Sequence, residues 1–211
     1  MKTAARIISF LFHPLLFPIY GSTFILFCNP NRFGVFGNRV QMAWLIIVFA
    51  LTFVFPVIWL LMMRRLEMIQ SLALETSRER IIPFIATATF YLWATWMFKP
   101  AVNMKIPSNE LLFYMMAGAS LSVFAAFVIN IFSKISLHTL AAGSMIAICL
   151  TMIRYSTYDL RIVFLGILIL SGAIGASRLL IKAHSEQEVL TGYLTGFTCQ
   201  FIAFSLISRL F

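Results

Sequence analysis

Seven apolar runs follow one another along the 211 residues, at about 7–28, 42–63, 81–98, 111–132, 139–153, 162–176 and 189–208, with short polar stretches between them. A hydrocarbon core of roughly 30 Å is crossed by about 20 apolar residues in a helix. With 61% of residues hydrophobic, 11% charged and a mean hydropathy of +0.95, the chain lacks the polar surface a water-soluble fold needs. The expectation is an all-α fold, a polytopic transmembrane helix bundle of six to seven spans. The runs at 139–153 and 162–176 are short, so helices there must extend into the neighbouring polar turns. The first run carries His13, Pro14, Pro18 and Gly21, a pattern for a broken or re-entrant segment, which is tolerated only where protein covers the freed backbone groups. Its interrupted apolar stretch and lack of a small-residue cleavage site read poorly as a signal peptide.

The longest polar stretches, 29–41, 64–80 and 99–110, are too short to divide the chain, and residues 1–211 read as one integral-membrane domain. Within 64–80, Leu66, Ile69, Leu72 and Ala73 fall near helical spacing opposite Arg64, Glu67 and Glu75, a pattern for a segment along the membrane interface or a solvated connector. Cys28, Cys149 and Cys199 each sit in an apolar run without metal or redox spacing and read as small hydrophobes. The net charge of +9 makes membrane lipids, their headgroups and phosphorylated lipids the natural anionic partners. Nucleic acid is not expected as a partner, because there is no soluble basic domain or aromatic platform to hold it.

Ionisable residues beside a bilayer are costly unless paired or used. SRLLIKAHSEQEVLTG, residues 177–192, brings Arg178, Lys182, His184, Glu186 and Glu188 together, and KISLHT places Ser136 and His138 at the start of another apolar run. A serine, an arginine and two histidines suit phosphate chemistry, which needs positive charge around the equatorial oxygens, a nucleophile and an acid for the leaving group. The planar fork of arginine meets the first need, and histidine can meet either of the others. His184 and Glu188 are four apart and share a helix face, where a carboxylate can orient an imidazole. Gly192 and Gly196 continue the stripe in the small-xxx-small pattern of close membrane packing.

These residues resemble a known family. SRLLIKAHSEQE is similar to the SRx5Hx3D pattern of the type 2 phosphatidic acid phosphatase (PAP2) superfamily, with glutamate in place of the last aspartate. The SLH of KISLHT resembles its PSGH motif, SRERIIPF approaches its Kx6RP motif, and FHPLLFPIYG looks like the small bacterial membrane branch. Most of the resemblance lies in residues 134–196. It implies a PAP2-like core with His184 as nucleophile forming a phosphohistidine, Glu188 orienting it, and His138 as general acid. Arg178, Arg80 and Ser136 would hold the phosphate. Leu137 stands where the family has a glycine, and no lysine precedes Arg80 at the family spacing, for which Arg78 or Lys134 are the nearest substitutes.

Counting crossings supplies an independent expectation: two spans separate Arg80 from His138, and two more separate His138 from His184, so all three meet on one face. That face carries nine basic residues against seven opposite, or five against seven without the site residues Arg78, Arg80, Lys134 and Arg178. The positive-inside rule then turns the site away from the cytoplasm, towards the periplasm of a bacterial inner membrane. The expected activity is a metal-independent, cofactor-free phosphatase acting on a phospholipid or polyprenyl phosphate or diphosphate substrate. A catalytically silent lipid-binding or lipid-moving relative is the alternative, and a bis-histidine haem protein the remote third. On this reading His13, beside Pro14, is structural.

Overall fold

The computed structural model describes residues 2–28, 37–69, 79–99, 110–156 and 158–205, and among them every regular element is helical. In chain order the helices are α1 (Lys2–Leu11), α2 (Phe17–Cys28), α3 (Gly37–Phe49), α4 (Phe55–Arg65), α5 (Ile81–Met97), α6 (Glu110–Phe132), α7 (Leu137–Tyr155), α8 (Arg161–Leu180) and α9 (Glu186–Ser205). Ile46, Ile85, Leu92, Phe124, Ile169 and Leu194 are all exposed on the outside of the bundle. An apolar belt of that extent belongs against lipid rather than water.

Among the described residues, five stretches are long and apolar enough to cross a membrane: Lys2–Cys28, Arg39–Arg65, Glu110–Phe132, Leu137–Tyr155 and Arg161–Leu180. This is fewer than the six to seven expected from the runs, and the shortfall is not where the short runs pointed. The runs at 139–153 and 162–176 do extend through their flanking polar residues. The ones that fall short are α5, with 17 residues, and α9, whose Glu186, Gln187, Glu188 and Gln200 dilute its apolar character. α9 packs against α6 and α7 on one face, which buries Gln200, and turns Leu190 and Leu194 outward.

The first run is broken, as His13 and Pro14 implied. Residues Pro14–Leu16 form a single 3-10 turn, which His13 opens by accepting the Leu15 N–H on Nδ1 at 3.4 Å. α2 then runs beside α7 to the far end, where Ser156 Oγ donates to the Cys28 carbonyl at 2.7 Å. α1 turns its buried Ala5 and Ser9 to α8. Between α3 and α4 a π-helical turn over Ala50–Val54 precedes Pro56. Proline has no N–H to give to the preceding turn, and a π-bulge is one way a helix absorbs that loss without ending. Of the possible interfacial segment, Ile69 is buried and Leu66 exposed; Leu72 and Ala73 lie outside the described residues. At the opposite end Asp159 and Arg161 form an exposed pair at 3.5 Å, as expected of a solvated loop.

The arrangement that matters for the site is a parallel contact between α7 and α9, which both start at the same end. Gly192 faces Thr139 Oγ1 and the Ser136 carbonyl, Gly196 faces the Leu140 carbonyl, and Gly143 faces the backbone of Tyr193. At each a methyl group would overlap the neighbouring backbone or side chain. Small residues let membrane helices approach this closely, so Gly192 and Gly196 do what their spacing implied. Gly196→Val should cost about 1–3 kcal/mol by forcing the pair apart, read as loss of resistance of the solubilised protein to unfolding in SDS. Gly166→Val, where nothing stands within 4 Å, is the control; equal losses from both would refute this account of the contact.

Candidate phosphate site

Three helices begin at one end of the bundle: α5 after Arg80, α7 after Ser136 and α9 after Ser185. Helix N-termini carry unsatisfied N–H groups and partial positive charge, and together attract anions. The Ser136 side chain makes no cap bond to α7, so that helix presents its first amides uncapped by it. Leu137 does not need the left-handed backbone that a glycine would permit: among the described residues only Glu67 and Lys182 combine a side chain with positive φ. Leu137 is the first helical residue, and its side chain lines the cavity described below.

The turn between α8 and α9 sets the central pair. The Lys182 N–H donates to the Leu179 carbonyl at 2.9 Å and the Ala183 N–H to the Arg178 carbonyl at 3.1 Å, with Lys182 at φ 55°. This is a Schellman closure, and it leaves Arg178 in the last turn of α8 and His184 two residues beyond the reversal. Ser185 Oγ accepts the Glu188 N–H at 3.3 Å and starts α9, while the Glu188 carboxylate reaches back to His184. Nδ1–H of His184 donates to Glu188 Oε2 at 2.6 Å, with the imidazole side chain only 5% exposed. Held this way, the ring keeps its lone pair on Nε2.

Arg80 lies across the end of α7, its Nη1 donating to the Ile135 carbonyl at 3.4 Å. Arg178 Nε and Ser136 Oγ are buried with no hydrogen-bond partner. The Ser136 N–H donates to the Glu188 carbonyl at 3.3 Å, tying the loop before α7 to the first turn of α9. Arg80, Arg178, His138 and His184 line one cavity of about 230 Å³, so the crossing argument holds at the level of side chains. Ser136 is fully buried beside it. Lys134 is exposed on the loop and not among the cavity-lining residues, and Arg78 falls outside the described residues.

His138 is held by a partner that the sequence did not reveal. Its Nε2–H donates to the carbonyl of Ser9 on α1 at 3.0 Å, and Ser9 Oγ meets Ser177 Oγ at 3.2 Å, one residue before Arg178. His13 also lines the cavity, with its ring 5.9 Å from that of His138, edge to face. His13 thus caps the turn at Pro14, as its structural reading has it, and the same break sets a third imidazole in the cavity beside Arg178. The available signal was a histidine at a helix break in an apolar run.

Compared with family models, curated proteins and solved structures, the chain gives no match. What the site can do therefore rests on its geometry. Two guanidiniums and one carboxylate leave an excess positive charge facing the imidazoles. Burial holds the His184 pKa below the ordinary 6.5, the Arg178 and Arg80 charges push the same way, and Glu188 pulls it back by hydrogen bond and charge. Burial also lowers Arg80, opposed by Glu188. A lowered pKa keeps His184 neutral to lower pH than a free imidazole. Activity that needs neutral His184 should fall along an acid limb that lies below pH 6.5. Glu188→Gln removes the upward contributions, so the limb should move lower still as the rate drops about tenfold or more. The pH profiles of kcat/KM for the two proteins test this, since the ionisation of the substrate is common to both. A limb that moves upward in Glu188→Gln would contradict the assignment.

Proposed function

We propose that the protein is a membrane lipid phosphate phosphatase that transfers the phosphoryl group of a phosphorylated or diphosphorylated lipid to His184 and then to water. The observation that carries this reading is the junction in one cavity of a carboxylate-oriented imidazole with two arginines, one of which has a buried, unpartnered Nε. Arg80, Arg178 and the α7 amides hold the phosphate oxygens. His184 Nε2 attacks phosphorus as the bond to the lipid oxygen breaks, and His138, its Nε2–H on the Ser9 carbonyl and its Nδ1 protonated once the bound phosphate anion offsets the arginine charge, gives that Nδ1 proton to the leaving oxygen. Neutral His138 then takes a proton from water, whose oxygen attacks the phosphohistidine, releasing phosphate and restoring His184. His13 stands where it can donate a further hydrogen bond. The resemblance to the PAP2 superfamily in residues 134–196 supports the same roles. Away from the arginines the cavity is walled by Phe84, Met115, Val123, Leu140, Met145 and Ile148, which suits a ligand with an apolar chain.

The purified protein should release phosphate from at least one of phosphatidate, phosphatidylglycerophosphate and an undecaprenyl-type diphosphate in the presence of EDTA. No release from any of them, with binding to the same lipids retained, would favour the silent lipid-binding reading.

A further inference from the structure

The cavity contains one feature that neither phosphoryl transfer nor a hydrocarbon chain requires. Gln200 is fully buried, lines the cavity, and its Oε1 has no hydrogen-bond partner. It lies twelve residues along α9 from Glu188, whose carbonyl meets the start of α7 beside Arg80, about 18 Å at a helical rise of 1.5 Å per residue. A polar side chain at that depth is costly unless used. Room has been made for it: a Cβ on Gly118 of α6 would stand 2.5 Å from the Gln200 amide, so any side chain there would displace it.

Three of the neighbouring hydrogen atoms are already committed. Gln200 Nε2 donates to the Tyr114 carbonyl at 3.4 Å, Ser122 Oγ to the Gly118 carbonyl at 2.8 Å, and Ser144 Oγ to the Gly196 carbonyl at 3.1 Å. Ser122 and Ser144 also line the cavity, their hydroxyl oxygens 3.5 Å apart. The Tyr114 carbonyl fixes which way round the amide lies: it accepts from Nε2 and would repel Oε1. With those protons given to backbone carbonyls, what remains at the junction of α6, α7 and α9 is oxygen lone pairs and the second Nε2–H of Gln200. Such a wall rejects plain hydrocarbon, because contact with it leaves the acceptor unsatisfied.

We infer that the deep end of the cavity is a second recognition site, in which Gln200 Oε1 accepts a hydrogen bond from a hydroxyl or amide N–H carried on the apolar chain of the ligand. The ligand is then a phosphorylated amphiphile polar at two places, its phosphate at the arginines and a donor group near Gln200. Only the phosphate half of that description rests on the function proposed above. Gln200 selects among ligands and takes no part in the chemistry.

The test uses the full-length protein in detergent and competition against a fluorescent alkyl phosphate. The competitors are plain and ω-hydroxylated alkyl phosphates from dodecyl to octadecyl, with the matching alcohols and diols that lack phosphate. At the chain length that reaches Gln200, the hydroxylated member should bind about tenfold tighter than its plain partner, the scale of one well-made hydrogen bond to a buried group. Gln200→Leu and Gln200→Met should abolish that preference while keeping phosphate-dependent affinity, which also shows that they fold. No preference at any chain length, or a preference that survives both substitutions, overturns the inference. If phosphate adds no affinity but diols still outbind alcohols in a Gln200-dependent way, the phosphatase reading fails and the deep site stands. If phosphate adds affinity and the hydroxyl adds none, the deep site fails alone.

Discussion

In the His184→Ala protein, phosphate release should fall by about a thousandfold or more, because His184 is the imidazole that Glu188 orients with its lone pair on Nε2. Binding of the lipid should change far less. The arginines, the helix termini and the apolar wall all remain, so KM or a measured Kd should move by about tenfold at most. The distinguishing measurement is labelling with a substrate carrying radioactive phosphate, quenched in alkaline SDS. Wild type should yield an acid-labile, base-stable phosphoprotein, as a phosphohistidine is, and His184→Ala none. Turnover near the wild-type rate in the mutant would remove His184 from the mechanism and leave the bonded pair with Glu188 as a structural turn. The same experiment on His13→Ala asks whether the third imidazole helps hold phosphate: labelling should persist while KM rises.

The second large effect belongs to the arginines. Arg178→Ala and Arg80→Ala should each lower kcat/KM by about a hundredfold or more, the usual scale for removing a contact to developing phosphoryl charge. Lysine at either position should restore only part of this, since an ammonium keeps the charge and loses the fork. The two sites differ in what else they do. Arg80 Nη1 donates to the Ile135 carbonyl, so Arg80→Ala also loosens the loop that leads into His138. Arg178 Nε is buried without a partner, so its loss removes a polar atom with no internal role. Arg178→Ala should therefore keep or raise thermal stability while activity drops, and Arg80→Ala should lose some of both. Small, equal effects of the two on activity would mean that they anchor the helix ends at the membrane surface, and the silent lipid-binding reading would then hold.

Much of the architecture was legible because its causes are local. A run of apolar residues selects a helix in lipid wherever it lies in the chain, since only helices and closed barrels satisfy their own backbone there. The number of crossings between Arg80, His138 and His184 follows from the runs, and with it the meeting of these residues at one end. The spacing of His184 and Glu188, and of Gly192 and Gly196, is likewise a property of one helix. Span number was less legible. Apolar length alone counted 81–98 and 189–208 as ordinary spans, but α5 is short and α9 begins with Glu186, Gln187 and Glu188 and buries Gln200 against its neighbours. Exposure to lipid or to protein is set by neighbours, and a window of sequence does not contain them.

The sequence by itself determined that this is a helical membrane protein, which residues stand at the same end of it, and that His184 has a carboxylate one turn away. The tertiary structure alone decided that α7 and α9 run side by side in parallel, that the Ser9 carbonyl orients His138 from 129 residues away, that His13 joins the imidazoles, and that Gln200 faces a cavity. The physical reason is the range of the interactions. Hydrophobic transfer and backbone hydrogen bonding act along one segment and leave a periodic mark in it, whereas close packing and side-chain hydrogen bonds between distant segments depend on the shapes of both partners.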